Sequence, residues 1–253
     1  MTSYKKQKLN PGLTGSHLKW LALITMCIDH IGAILLETGL LPVISSAVLG
    51  GHSFEYVMTD YQFWSGVNFT LRLIGRLSFP LYCFLLTEGF LHTKDIRRYI
   101  FRLGFLALLS EVPFDFAISG TFFYPGQQNV YFTLFIGLIV LYGIQHNERR
   151  HGKLTFSAYL YIFFGMFAAY FLQSDYDAFG ILLISLCYLL HFERKQLCIF
   201  GAICTAWEYS APLAFLPIWF YNGQRGKQLP KWFFYGFYPA HLLLLAGIRA
   251  LLF

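Results

Sequence analysis

Long apolar runs alternate with short polar segments along the whole chain. Each run approaches the length of about 20 apolar residues that a membrane-spanning helix needs. The pattern predicts membrane helices over 18–38, 69–91, 98–118, 129–145, 154–172, 178–192 and 232–251. It therefore predicts an all-α, polytopic integral membrane helix bundle, because only helices and closed barrels satisfy all their backbone hydrogen bonds in lipid.

The apolar stretch 197–221 is less regular than the others. The segment WEYSAP interrupts it, and its Pro212 is unfavourable inside a helix. As a single span, the stretch would also place the basic segment NGQRGK on the outer side of the membrane. We therefore expect two short, tilted or re-entrant helices here. With the regular spans, they bring the prediction to about nine membrane helices in a single domain over residues 1–253.

Positive charge is confined to particular segments of the chain. Lys and Arg recur in KKQK before the first span and in loops at 92–98, 146–153, 191–196 and 222–231, whereas the loop QSDYD is acidic. Lys- and Arg-rich loops stay on the cytosolic side of a membrane. The N-terminal segment 1–17 is therefore predicted to be cytosolic. Residues 39–66 are predicted to form the largest external loop, with short interfacial helices.

The composition is that of a membrane protein and disfavours a soluble or nucleic-acid-binding protein. Hydrophobic residues make up 57% of the 253 residues and charged residues only 13%, with a mean hydropathy of +0.53. Soluble domains carry about 25% charged residues. Although the net charge is +6, the basic clusters recur between apolar spans, which favours membrane topology over nucleic-acid binding. The five cysteines lie in apolar runs without metal-site or disulfide spacing.

An Asp-His pair, Asp29-His30, interrupts the first apolar span. His30 follows Lys19 by eleven residues, so helical rise places it about 16 Å below that lysine, near the centre of the bilayer. Lys19, His30 and Glu37 share one helix face. Because ionisable groups at this depth are costly, they mark a functional site by default. His241 follows Lys231 by ten residues and is expected to reach a similar depth from the last span.

Further polar residues lie within or beside the apolar spans and could line a chamber around the two histidines. They are Arg72, Arg76, Glu88, Glu111, Asp115, Asn129 and Glu208. Buried charges in helix bundles also form purely structural pairs. A pairing of Arg76 with Glu111 or Asp115 is the structural alternative.

A neutral imidazole in a water-poor cavity suits general-base chemistry. Metal binding is not expected, because the chain has no HExxH motif and no compact cluster of His and carboxylate residues. A proton- or ion-coupled transporter would use the same residue types, with Asp29, His30, Glu111 and His241 as a relay. A non-catalytic membrane assembly protein is a third alternative, in which the polar residues only hold the helices together.

Several segments are similar to a known family. LKWLALITMCIDHIGA, LIGRLSFPLYCFLLTEGFLHT, RRYIFRLGFLALLSEVPFD, NVYFTL and YNGQRGK with FYPAHLL resemble, in this order, the TraX family. Its namesake is a membrane protein that acetylates the N-terminus of conjugative pilin. Lys19 and His30 also resemble the basic residue and catalytic histidine in the first helix of acyltransferase-three proteins. In this resemblance Arg97, Arg98 and Arg102 correspond to the cytosolic arginine cluster of that group.

The resemblance implies a membrane acetyltransferase of the bacterial cytoplasmic membrane. Acetyl-CoA would bind from the cytosol, with its phosphates on Lys19, Arg97, Arg98 and Arg102. His30 would act as general base, Asp29 would orient or tune it, and His241 would support it. The acceptor implied by the namesake is a pilin. An envelope glycan, polymer or lipid is an equal alternative, since no residue of the sequence selects among them.

Overall fold

A computed structural model describes residues 12–47, 53–227 and 230–253. In these ranges the backbone is helical and forms no β-strand, with only two isolated bridges, Leu13 to Tyr221 and Gln128 to Ser174. Most of the predicted cytosolic segment and part of the predicted external loop 39–66 lie outside the described residues. The all-α prediction is confirmed for the described part of the chain.

The first helical stretch runs from Gly15 to Ser46 with a change of helix type in its middle. Helix α1, Gly15–His30, begins at Thr14, whose hydroxyl accepts a hydrogen bond from the backbone N–H of His17. A π-helix, Ile31–Leu40, follows directly, and α2 covers Leu41–Ser46. π-Helical geometry is rare and occurs often at functional sites. Here the change of helix type begins immediately after His30.

Helices α3, Phe54–Gly75, and α4, Ser78–His92, differ from the predicted pattern. The span expected over 69–91 is divided at Arg76 and Leu77. Helix occupies 54–66 as part of α3, where an external loop with short interfacial helices was predicted. The division has a physical cause, because Pro80 in the first turn of α4 has no N–H to continue the hydrogen bonding of α3. Hydropathy missed the first part of α3 because polar residues such as Glu55 and Asp60 lie along it.

The next four helices run up and down as antiparallel neighbours. Helix α5, Ile96–Ser119, is capped by Asp95 and ends at Gly120, whose φ of 71° is left-handed. Helix α6, Val130–His151, follows, and then come α7, Phe156–Phe171, and α8, Asp177–Leu189. The turns before α5 and after α6 therefore lie at the end of the bundle where α1 begins. We call this end the N-terminal face and the other end the opposite face.

The stretch 194–221 forms a hairpin that enters the bundle and returns to the N-terminal face. It contains α9, Arg194–Cys204, two 3₁₀ turns and α10, Phe215–Trp219. Arg194 Nη1 donates hydrogen bonds to the carbonyl oxygens of Ile218 and Tyr221 at 2.8 and 3.0 Å, so the two ends of the hairpin meet. This confirms two short helices with a break between them. At the tip, the Ser210 hydroxyl donates to the carbonyl oxygen of Leu73 on α3.

The chain then crosses to the last helix along the N-terminal face. The backbone N–H of Leu13 donates to Phe220, and that of Gly15 to Gln224, so this connection packs on the start of α1. Helix α11, Lys231–Leu252, packs against α5 and the π-helix. Near its end, Arg249 donates to the Thr38 hydroxyl and to the carbonyl oxygens of Ala117 and Phe116. Arg249 thus joins three elements at the opposite face.

The surface of the bundle is largely apolar. Within the described ranges, four helical stretches are long and apolar enough to cross a membrane, namely Gly15–Ser46, Phe54–His92, Val130–His151 and Phe233–Leu252. Two shorter apolar helices are Phe156–Phe171 and Asp177–Leu189. Helix α7 shows the character of this surface, since Phe163, Phe164 and Phe167 each expose about 60% of their area. Contiguous apolar patches of this kind mark contact with lipid or a partner. The structure is consistent with a membrane protein.

Candidate functional site

The two histidines at the predicted membrane centre contact each other. Nδ1 of His30, at the end of α1, lies 2.7 Å from Nε2 of His241 on α11. The His241 residue is 7% exposed. At 2.7 Å the two ring nitrogens share a hydrogen bond, so one of them donates and the other accepts. His30 and His241, which the sequence places at a similar depth on two separate helices, are therefore in contact.

A neighbouring carbonyl group decides which nitrogen donates. Nδ1 of His241 lies 2.9 Å from the carbonyl oxygen of Phe237, one turn earlier on α11. Because a carbonyl oxygen can only accept, Nδ1 of His241 carries a hydrogen, and its Nε2 in the neutral ring is an acceptor. Nδ1 of His30 must then donate to it. This assignment leaves Nε2 of His30 as the unprotonated, basic nitrogen of the pair.

Aromatic rings surround the histidine pair. The Tyr238 ring meets the His30 ring edge-on, with their centroids 5.8 Å apart, and Tyr238 also meets the Tyr131 ring at a centroid distance of 4.9 Å. The Phe237 ring stacks on the His241 ring at 5.1 Å. Buried apolar walls exclude water and strengthen electrostatic interactions within the site. The arrangement can hold a base whose orientation is fixed by packing.

Asp29 faces a different partner from the one expected. Its Oδ2 accepts a hydrogen bond from Arg72 Nη1 at 2.5 Å, and Arg72 Nε lies 3.8 Å from Glu37 Oε2. The Asp29 carboxylate therefore stands beside the histidine pair as part of a charged cluster with α3. In this structure Asp29 holds Arg72.

The ion pair formed by Arg76 differs from the pairing suggested by the sequence. Arg76 Nε lies 2.8 Å from Oε2 of Glu208, at the tip of the hairpin. It therefore does not pair with Glu111 or Asp115. The Glu208 carboxylate, at the tip of the hairpin 194–221, therefore lies at the junction of α3 and α4, next to the charged cluster around Asp29.

Glu111 and Asn129 form a structural pair between α5 and α6. The fully buried Asn129 side chain donates to Glu111 and to the carbonyl oxygen of Ala107, and its oxygen accepts from the N–H of Tyr131. Both amide hydrogens are used, so Asn129 has none left for a substrate oxyanion. Asp115 accepts from the N–H of Tyr124 at 2.8 Å and fixes the following loop.

Glu88 belongs to a separate cluster at the N-terminal face. Its Oε2 accepts from the Tyr221 hydroxyl at 2.8 Å, and its Oε1 lies 3.4 Å from Nδ1 of His191. Burial lowers the pKa of His191, which keeps this ring neutral at pH 7. Because the contacts of Glu88 fasten the end of the hairpin to α4, the structure separates Glu88 from the groups near His30.

The basic residues expected to bind acetyl-CoA lie at the N-terminal face. Lys19 Nζ stands 5.5 Å from the centre of the Phe234 ring on α11, and the Arg102 guanidinium lies 6.0 Å from the Tyr99 ring on α5. Arg98 forms an exposed ion pair with Asp95, and Arg97 is exposed. Lys19 and Arg102 thus lie on two helices that both pack against α11, the helix that carries His241.

Comparison with known proteins identifies the family. A family model described as TraX protein matches residues 14–249. The chain belongs to the TraX family. A similar relative is the probable fimbrial assembly protein FimC, serogroup H1, of Dichelobacter nodosus, which is 27% identical over 96% of this chain and 98% of its own length. No solved structure matches the chain.

The TraX chain also contains site features that hydropathy did not reveal. The Tyr238 ring contacts the rings of both His30 and His241, and the Tyr131 ring packs on Tyr238. The sequence spacing indicates the contacts on α11, because positions 237 and 238 lie one turn before position 241 and on the same side of the helix. In the described part of the chain, no three His, Cys, Asp or Glu side chains are grouped so as to hold a metal ion.

A glycine beside Asp29 allows a direct test of the charged cluster in this TraX protein. An added Cβ at Gly75 would overlap the Asp29 carboxyl group, so we expect Gly75→Ala to displace Asp29 from Arg72 and to destabilise the fold by about 1 kcal/mol. Gly66→Ala on the same helix is the matched control, because its Cβ would meet nothing within 4 Å. The free energy of unfolding of both variants in detergent would be measured. Equal stability would contradict close packing of α3 on Asp29.

Proposed function

We propose that this TraX protein is a membrane-bound acetyltransferase with about nine membrane helices in the bacterial cytoplasmic membrane. It takes acetyl-CoA from the cytosol at the N-terminal face and passes the acetyl group to an acceptor amine or hydroxyl on the extracytoplasmic side. The acceptor is a pilin N-terminus or an envelope glycan, polymer or lipid. The observation that carries the proposal is the partly buried His30–His241 contact, with Nε2 of His30 unprotonated.

The histidine pair supplies the proton transfers of the reaction. Nε2 of His30 takes a proton from the acceptor N–H or O–H as the acceptor atom forms a bond to the thioester carbonyl carbon. The carbon–sulfur bond then breaks, and His30 returns the proton to the CoA sulfur, which leaves as a thiol. While His30 is charged, Nε2 of His241 accepts its Nδ1–H and shares the positive charge.

The basic side chains at the N-terminal face fit a phosphate-rich donor. Acetyl-CoA carries three phosphate groups in its nucleotide part, and Lys and Arg bind phosphate through charge-assisted hydrogen bonds. Lys19 lies on the helix that ends at His30, so a head group bound there would point its pantetheine arm along α1. The arm would span about 16 Å from Lys19 to the histidine pair.

Two observations bear on the alternatives. A proton relay through Asp29, His30, Glu111 and His241 is not supported, because only the two histidines touch, while Glu111 bonds to Asn129. An assembly role is the second candidate, because the similar Dichelobacter nodosus protein is named a probable fimbrial assembly protein. Binding of acetyl-CoA separates an enzyme from a purely structural assembly factor.

Calorimetric binding of acetyl-CoA to the protein in lipid nanodiscs tests the proposal. We expect saturable binding by the wild-type protein. Lys19→Ala and Arg102→Ala should each bind about tenfold more weakly, which corresponds to about 1.4 kcal/mol. Lys153→Ala, an exposed lysine elsewhere on the same face, is the matched control and should bind as tightly as the wild type. Absence of binding by the wild type, or equal weakening by Lys153→Ala, would contradict the proposal.

A further inference from the structure

The proposed proton transfers leave one developing charge without a partner. As the acceptor atom forms its bond to the thioester carbon, an electron pair of the C=O bond moves to the oxygen and creates an oxyanion. Enzymes stabilise such an oxyanion with hydrogen-bond donors about 2.7–3.1 Å from it, and loss of one donor lowers the rate by about 10²- to 10³-fold. An acetyltransferase built on His30 and His241 therefore needs a donor beside the two rings.

Tyr238 of α11 carries a hydroxyl and contacts both histidines. Its ring meets the His30 ring edge-on at a centroid distance of 5.8 Å and the His241 ring at 5.5 Å. The Tyr131 ring of α6 packs on it at 4.9 Å. Tyr238 is 3% exposed and belongs to a buried apolar cluster formed by α1, the π-helix, α5 and α11. Packing therefore fixes the Tyr238 ring beside the histidine pair.

The Tyr238 hydroxyl is not used by the fold. No described residue donates a hydrogen bond to this hydroxyl or accepts one from it, although buried tyrosine hydroxyls usually have a partner. The Ser110 hydroxyl on α5 also lacks a partner, but it is enclosed, with under 1 Å² of accessible surface, whereas the Tyr238 hydroxyl keeps accessible surface. The Tyr238 hydroxyl can therefore bond to a molecule that enters the site.

Other donors near the histidine pair are already engaged. The ring N–H groups of the two neutral histidines are bonded to each other and to the backbone, and both amide hydrogens of Asn129 are used. Arg72 and Arg76 are each paired with a carboxylate. A phenol keeps its proton at pH 7 and can donate a hydrogen bond through it. Tyr238 thus offers an unengaged neutral donor in contact with the proposed base.

We propose that Tyr238 is a further catalytic residue, whose hydroxyl donates a hydrogen bond to the carbonyl oxygen of the acetyl thioester. This inference rests on the proposed function. As His30 takes the proton of the acceptor and the acceptor atom bonds to the carbonyl carbon, Tyr238 stabilises the oxyanion that forms. The C=O bond then re-forms as the carbon–sulfur bond breaks, and His30 gives the proton to the departing CoA sulfur. Tyr238 keeps its own proton throughout.

Tyr238→Phe removes only the hydroxyl oxygen and tests this role. Because that hydroxyl has no hydrogen bond to lose within the described part of the chain, we expect acetyl-CoA binding in nanodiscs and the free energy of unfolding to stay unchanged. The His30-dependent release of free CoA thiol by inside-out envelope vesicles, at saturating acetyl-CoA, should fall about 10²-fold. Tyr142→Phe, on α6 beside a different apolar cluster, is the matched control and should release thiol at the wild-type rate.

The possible failures give different results. Wild-type thiol release that Tyr238→Phe leaves unchanged, or an equal loss in Tyr142→Phe, would overturn the role of Tyr238 alone. Loss of acetyl-CoA binding in Tyr238→Phe would also overturn it, because an oxyanion donor acts after the thioester has bound. Thiol release by the wild type at the background of His30→Ala would contradict the proposed acetyltransferase itself, and the role of Tyr238 with it.

Discussion

Replacing His30 by alanine is expected to reduce acetyl transfer by 10²- to 10⁴-fold, the usual contribution of a general base, while acetyl-CoA binding stays unchanged. The reason is that Nε2 of His30 is the unprotonated nitrogen of the pair, whereas the expected phosphate contacts lie about 16 Å away at Lys19. Release of free CoA thiol by envelope vesicles that contain the variant would measure the loss.

His241 should matter less than His30. Its Nε2 only accepts the Nδ1–H of His30, so we expect His241→Ala to lose about tenfold in rate and His241→Gln, which keeps an acceptor oxygen, to lose less. His151→Ala, at the exposed end of α6, is the matched histidine control and should retain full activity. Full activity in His30→Ala together with complete loss in His241→Ala would reverse the assignment of the base.

Removing Arg76 is expected to have the largest effect on stability. Arg76 and Glu208 form an ion pair with side-chain exposures of 28% and 13%, and Arg76→Met would leave the Glu208 carboxylate in the bundle without its partner. Loss of one member of a buried pair costs about 3 kcal/mol. The double variant Arg76→Met with Glu208→Gln should recover most of this loss, because no uncompensated charge remains. Equilibrium unfolding of the variants in mixed micelles would measure these differences.

An exposed pair provides the comparison for this result. Arg98 and Asp95 form an ion pair with side-chain exposures of 84% and 48%, so solvent screens it and Arg98→Met should leave the free energy of unfolding nearly unchanged. Equal destabilisation by Arg76→Met and Arg98→Met would show that the hairpin tip does not bury its charge. This result would contradict the view that the Arg76–Glu208 ion pair holds the hairpin to the junction of α3 and α4.

The depth of the two histidines was predictable because it depends only on helical rise. Counting from Lys19 and Lys231 placed His30 and His241 at similar depths, and the structure brings them into contact. The partner of Arg76 was not predictable in this way, because Glu208 reaches it through a hairpin whose insertion depends on tertiary contacts such as that of Ser210 with Leu73. Spacing along one helix carries no information about such contacts.

Polarity explains two differences between the sequence-based expectations and the structure. The first half of α3 is polar, so a search for apolar runs assigned it to an external loop with short interfacial helices, whereas it is continuous with the rest of α3. Both Asn129, which is fully buried, and Glu111, which is partly buried, were expected to line a chamber. In the structure the Asn129 amide donates to Glu111 and to the backbone of α5. A sequence pattern shows that a polar residue lies within an apolar run, but it does not show which group that residue bonds to.

The most direct test of the proposed acetyltransferase activity is the side of the membrane at which acetyl-CoA is consumed. Inside-out and right-side-out envelope vesicles with equal amounts of the protein would each receive acetyl-CoA from outside, and vesicles with His30→Ala would give the background of free thiol. We expect His30-dependent thiol release only from inside-out vesicles, in which the N-terminal face is accessible. Thiol release at the His30→Ala background in both orientations would contradict the account.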